Sequence, residues 1–122
     1  MPHLTIEHSS DIQKNSVKIL QTEIQNIMSG VEGNFDADQC KARSFSFDEY
    51  LVGKLDQSAA SFIHITLKVL TGRSAEVRKN LAEKISQFTQ KFFLELKLET
   101  QRCDISVDIV EMERDIYQKT RV

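Results

Sequence analysis

The chain has 122 residues, enough for a single domain spanning 1–122 that closes its own core without a metal or disulfide staple. Apolar residues make up 40% and charged residues 28%, and the formal charge is −2 with acids and bases interspersed. That balance excludes a broad electrostatic footprint for nucleic acid or anionic lipid, so an anion site must rest on a few placed arginines.

Residues 2–8 alternate, with Leu4 and Ile6 on one side and His3, Thr5 and Glu7 on the other, which predicts a half-buried strand. Ser10 and Gln13 fit a capping box at a helix start. Val17, Leu20, Ile24, Ile27, Met28 and Val31 then recur at three- and four-residue steps, one apolar stripe on an amphipathic helix stopped by Gly30 and Gly33. Residues 34–40 are polar and read as loop. From Lys41 alternation returns, with Arg43, Phe45 and Phe47 opposite Ala42, Ser44 and Ser46, giving a strand to about Phe47 and then turns through Gly53 and Gln57.

Ser61 to Leu70 is a strong strand, with Ile63, Ile65, Leu67 and Val69 alternating against Phe62, His64, Thr66 and Lys68. Thr71-Gly72-Arg73 is a turn, and Ser74 is a good N-cap with Glu76 in the first turn. Val77, Leu81, Ile85, Phe88, Phe92 and Leu96 predict a second helix of about six turns. Ile105, Val107 and Ile109 mark a last strand. Residues 113–122 read as a charged tail, loosely held or docked on a neighbour.

The order strand, helix, strand, strand, helix, strand predicts an α+β two-layer fold in which right-handed crossovers return each helix to its own sheet; if both helices cover the same face, the result is a four-stranded main sheet with two helices on one face. His3-Leu4-Thr5-Ile6-Glu7 lines up with His64-Ile65-Thr66-Leu67-Lys68, each followed by a serine and a helix. We read this as a duplicated β-α-β unit, about 2–58 and 59–112. The sheet face away from the helices carries His3, Thr5, His64 and Thr66, too polar for a dry core and suited to packing about the axis of a ring of subunits.

Few residues offer chemistry. Cys40 and Cys103 lack metal-ligand spacing and give no reason to pair, so no metal site is expected. No leader and no run of about eighteen apolar residues is seen, so a cytoplasmic protein with no membrane partner is expected. Pro2 is the only proline. If Met1 is removed, its ring nitrogen is a free secondary amine at a strand tip; with Met1 attached it is an amide without basicity. Arg73, between a buried strand and a helix start, reads either as a solvated loop arginine or as a carboxylate fork. Arg43 reads as a subunit-contact arginine with its stem on aromatics. His3 and His64 read as sheet-face histidines, and Glu111, Glu113, Arg114 and Asp115 as part of a solvated tail.

The opening Met-Pro-His-Leu-Thr-Ile-Glu and the stretch Phe62 to Ser74, with its His-x-Thr-Leu-Lys strand and Gly-Arg-Ser turn, resemble the 5-carboxymethyl-2-hydroxymuconate delta-isomerases. These belong to the tautomerase superfamily with 4-oxalocrotonate tautomerase and macrophage migration inhibitory factor. The resemblance implies a homotrimer and a cofactor-independent isomerase of aromatic-compound catabolism that moves a double bond in a small anionic dienol or keto acid. It also implies that Met1 is cleaved, that Pro2 is the general base, and that Arg73 and Arg43 meet the substrate. Where the family pattern has a second arginine two places after Arg43, this chain has Phe45, which points to a less acidic or more apolar substrate. A phenylpyruvate-type tautomerase and an inert trimeric interaction protein of the same fold are the alternatives.

Overall fold

The computed structural model describes residues 1–98 and 102–122. Strand β1 (His3–Ser9) leads into helix α1 (Lys14–Gly30), a 3-10 turn at Ala37–Gln39 and strand β2 (Lys41–Phe47). Strand β3 (Ser61–Leu70), helix α2 (Ala75–Leu96) and strand β4 (Cys103–Met112) follow, with a last 3-10 turn at Arg114–Ile116. The four strands lie in the order β2-β1-β3-β4. The outer pairs β1/β2 and β3/β4 are parallel, each joined across its helix, and the central pair β1/β3 is antiparallel. Thr5 stands opposite Thr66 at the centre of that pair.

One core forms between the sheet and the two helices. Leu4, Ile6, Ile63, Ile65, Leu67 and Val69 point into it from the strands, and Val17, Leu20, Ile24 and Met28 meet them from α1. Each of these is fully or almost fully buried, and burial of one such side chain stabilises by about 1.5–3 kcal/mol. The period-2 and period-3.6 patterns of the sequence therefore meet on one surface.

Three local readings change. The Ser10/Gln13 capping box does not form: Gln13 is the N-cap with no side-chain cap bond, and Ser10 gives its N–H to Phe47 O at 3.0 Å. The chain is still completing sheet pairing at that point, so the helix starts later than the serine suggests. In α2, Ser74 Oγ accepts from the Val77 N–H as expected, but the buried series is Leu81, Ile85, Thr89 and Phe93. Phe88, Phe92 and Leu96 sit at the rim, only partly buried. The strict four-residue step wins, and Thr89 enters the core because its hydroxyl donates to Ile85 O at 2.7 Å.

The third change is the tail, which folds back on its own chain. Arg114 donates to Thr71 O, Tyr117 Oη meets His3 Nε2 at 2.8 Å, and Lys119 Nζ donates to Gln39 Oε1 at 3.0 Å. Glu111 is likewise no tail residue: it lies in β4 and pairs with Arg78 at 3.4 Å.

Away from the helices, the sheet presents rows of paired residues. One runs Arg43, Thr5, Thr66, Asp108 and the next Phe45, Glu7, His64, Ser106. Phe45 and Phe47 stand 53% and 38% exposed on β2, at one edge of this open face. Among the described residues, no helix is long and apolar enough to cross a membrane.

Candidate active site

Pro2 lies buried at the tip of β1, held by the Lys41 N–H, which donates to Pro2 O at 3.1 Å. That bond comes from the parallel pairing of β2, so the direction of the proline ring is set by the sheet. A cavity of about 360 Å³ opens at this tip, lined among others by Met1, Pro2, Phe35, Asp36, Arg73 and Arg114.

Arg73 reaches this cavity from the turn between β3 and α2, and its guanidinium is heavily engaged. Nε donates to Gly33 O at 2.9 Å, Nη1 to Leu70 O at 3.0 Å and Nη2 to Asn34 O at 2.6 Å. The plane lies 4.8 Å above the ring of Phe35, which is itself only 1% exposed. Since a guanidinium has five N–H groups, two remain for a ligand. The loop that supplies two of these carbonyls, those of Gly33 and Asn34, has unusual backbone: Gly33, Asn34 and Asp36 have φ of +128°, +49° and +57°. Gly33 is required twice over, because a Cβ there would sit 2.5 Å from Phe35 Cε2.

The electrostatics are cationic. Burial, then the neighbouring Arg114, lowers the Arg73 pKa, with Asp36 opposing. The terminal amine on Met1 is held below its ordinary 8.0, first by burial and then, against Asp36, by Arg73, Lys119 and Arg114. The Met1 amine is thus biased toward its neutral form.

Arg43 and Phe45 lie elsewhere. Both stand on β2 on the open sheet face and do not line the Pro2 cavity of their own chain. Arg43 Nη1 donates to His3 Nδ1 at 3.3 Å, which places the ring proton on Nε2, facing Tyr117 Oη. His3 therefore ties β2 to the C-terminal segment. Phe47 and Phe62 approach each other with ring centroids 6.2 Å apart at the far end of the sheet.

Sequence reasoning missed Phe35, Asp36, Arg114 and Lys119. A loop read only as polar supplied the first two. A signal for Arg114 did exist: once β4 runs parallel to β3 with Met112 beside Leu70, the residues just after both strands must be neighbours. A larger concavity of about 780 Å³, lined by Asp11, Gln13 and Leu96 among others, lies at the other end of α2 and gathers no comparable set of groups.

Two β-α-β units with both helices on one sheet face make a tautomerase-type fold, of the macrophage migration inhibitory factor-like kind. The chain belongs to the 5-carboxymethyl-2-hydroxymuconate isomerase family, whose model matches residues 2–121, and it is an isomerase by class. No curated protein matches it in sequence.

Among solved structures, it is similar to a 5-carboxymethyl-2-hydroxymuconate isomerase from Deinococcus radiodurans R1, at TM-score 0.84 and 21% identity over 99% of this chain and 90% of the other. A macrophage migration inhibitory factor-like protein from Entamoeba histolytica aligns at TM-score 0.68 and 21% identity, over 98% and 96% of the two chains. A fused wild-type 4-OT described as a symmetric trimer aligns at TM-score 0.70 and 12% identity, over 93% and 88%. At these identities the structures speak for the fold.

Proposed function

We propose that the protein is a cofactor-independent keto-enol isomerase of an unsaturated hydroxy or oxo carboxylic acid of the 5-carboxymethyl-2-hydroxymuconate type, with Pro2 as general base once Met1 is removed. The observation that carries the proposal is the placement of Pro2: buried at a strand tip, in a cavity walled by two guanidiniums. The family's isomerase class supplies the reaction type.

In this reading the neutral Pro2 nitrogen takes a proton from the dienol, or from the carbon alpha to the carbonyl, and returns it to another carbon as the double bond shifts. An α-amino group titrates near 7.7–8.0 in ordinary residues and proline's secondary amine higher, so a base working near neutrality needs its pKa lowered. Pro2 is buried and shares its cavity with the Arg73 and Arg114 guanidiniums, and both burial and neighbouring cations disfavour the charged form of an amine. Arg73, with two N–H groups to spare, binds a carboxylate or the developing enolate oxygen and so serves both charge stabilisation and base tuning. Phe35 provides an apolar wall.

The working assembly in this proposal is a homotrimer, its open sheet faces turned inward. Support comes from the mixed polar rows and exposed Phe45 and Phe47 on that face, and from the trimer named for one structural relative. Arg43 and Phe45 then act on a neighbouring subunit's cavity. Cytoplasmic breakdown of aromatic compounds is the setting that suits such a substrate.

The test begins with intact mass, to confirm a proline terminus. An ultraviolet assay on anionic dienols then compares the processed enzyme with Pro2→Ala and with a form carrying a bulky residue between Met1 and Pro2 to block processing. Loss of one positioned base lowers the rate by about 10²–10⁴-fold; we expect the blocked form to lose at least the lower of these and Pro2→Ala to keep a remnant through its primary amine. Equal turnover by the blocked form removes Pro2 from the mechanism.

A further inference from the structure

Arg114 differs from Arg73 in one respect that matters for a ligand: it is tied along a single edge. Its Nε and Nη2 both donate to Thr71 O, at 3.1 and 2.9 Å, and its main-chain N–H donates to Thr71 Oγ1 at 3.2 Å. The root and one edge of the side chain are thereby fixed, while no acceptor among the described residues meets Nη1. All three nitrogens of Arg73, by contrast, already serve main-chain carbonyls.

The two guanidiniums also stand close enough for Arg114 to depress the Arg73 pKa, with Asp36 as the opposing acid. Like charges held together beside a cavity favour an anion between or against them. Arg114 lines the Pro2 cavity and also an adjoining concavity of about 360 Å³ at Gly72 and Ser74, where α2 begins. Gly72 has φ +130°, and a Cβ there would stand 3.5 Å from Arg114 Nη2, so the turn leaves this nitrogen uncrowded.

We propose that Arg114 is a substrate-binding residue of this isomerase, presenting its Nη1/Nη2 edge to a carboxylate in the cavity that Pro2 and Arg73 line. A planar fork with two parallel N–H groups matches a carboxylate bidentately, and Arg114 keeps three N–H groups for a ligand where Arg73 keeps two. Specificity for an acidic substrate then comes partly from the segment after β4, through a residue whose position is set by Thr71. For turnover this inference rests on the Pro2 reading; for binding it does not.

The experiment separates the two by using an unreactive dicarboxylate, glutarate, titrated calorimetrically into the Met1-free protein. Wild type is expected to bind, Arg114→Gln to weaken the Kd at least tenfold, and Arg114→Lys to recover only part of the loss. Pro2→Ala leaves the Kd within about twofold while abolishing most turnover, so failure of the base assignment does not touch this result. In the ultraviolet assay, Arg114→Gln raises KM for an anionic dienol more than it lowers kcat and leaves KM for the neutral ester unchanged. A wild type that ignores glutarate, or an Arg114→Gln protein within twofold of the wild-type Kd, overturns the proposal. If Arg114→Gln does not fold, the Arg114 side-chain Nε–H resonance of the wild type decides: a shift on glutarate addition upholds the contact, and an unmoved signal at the highest concentration reached overturns it.

Discussion

Three glycines allow the loop that cradles Arg73 to be weighed against ordinary backbone effects. Gly33 has φ +128°, and a Cβ there would lie 2.5 Å from Phe35 Cε2 and 2.8 Å from Val77 Cγ1. Gly53 also has positive φ, +62°, but nothing within 4 Å, and Gly30, the last residue of α1, has neither problem. Gly30→Ala removes only chain entropy from the unfolded state and should stabilise by about 0.4–1 kcal/mol. Gly53→Ala adds left-handed strain alone, about 1 kcal/mol or somewhat more. Gly33→Ala adds strain of about 1–3 kcal/mol in a sparsely populated region and overpacking of about 1–3 kcal/mol against a buried phenylalanine.

In a domain of this size 1 kcal/mol moves Tm by about 4 °C, so Gly33→Ala should melt at least about 8 °C below wild type. Thermal unfolding of the three variants at one fixed protomer concentration reads this, since any subunit association makes Tm concentration-dependent. Gly33→Ala should also lose isomerase activity, because the loop carbonyls that hold Arg73 shift with Phe35. A Gly33→Ala Tm within about 2 °C of Gly53→Ala would refute the steric argument and, with it, the idea that this loop is packed around Arg73.

Two further outcomes concern titration. His3 is held below its ordinary 6.5, first by burial and then by Arg43 and Lys41. The unfolded chain therefore binds this proton more readily, and the His3 contribution to stability is present above pH 6.5 and fades as pH falls toward the folded pKa. An NMR titration should place the His3 midpoint below 6.5, and Arg43→Gln should raise it; a wild-type midpoint at or above 6.5 contradicts the contact. Burial above all, then Asp11 and Asp104, pushes the Cys103 thiol from 9.0 up to about 11. At pH 8 iodoacetamide should label Cys103 at least about tenfold more slowly in the folded than in the denatured protein, since the thiolate reacts; equal rates would mean the thiol is open to solvent.

The apolar letters alone determined the strand at 61–70, the approximate span of both helices and the two-layer arrangement, because periodicity of 2 and of 3.6 encodes which side of an element is dry; near 41–47 alternation marked a strand but not its dry side, since Phe45 and Phe47 stand exposed on the open face. Local chemistry also sufficed for the Ser74 cap, a bond between residues three apart. Pro2 and Arg73 were singled out by their types and their places beside a strand end and a helix start. What tertiary structure decided was which charged groups share a cavity. Arg43, grouped with Arg73 by resemblance, lies on the open sheet face, whereas Arg114, read as solvated tail, stands against Thr71. The capping box failed because sheet pairing claimed the Ser10 amide, and the tail docked because β4 ends beside β3. Contacts between residues forty or a hundred positions apart leave no period in a sequence, and only strand order and register bring such side chains together.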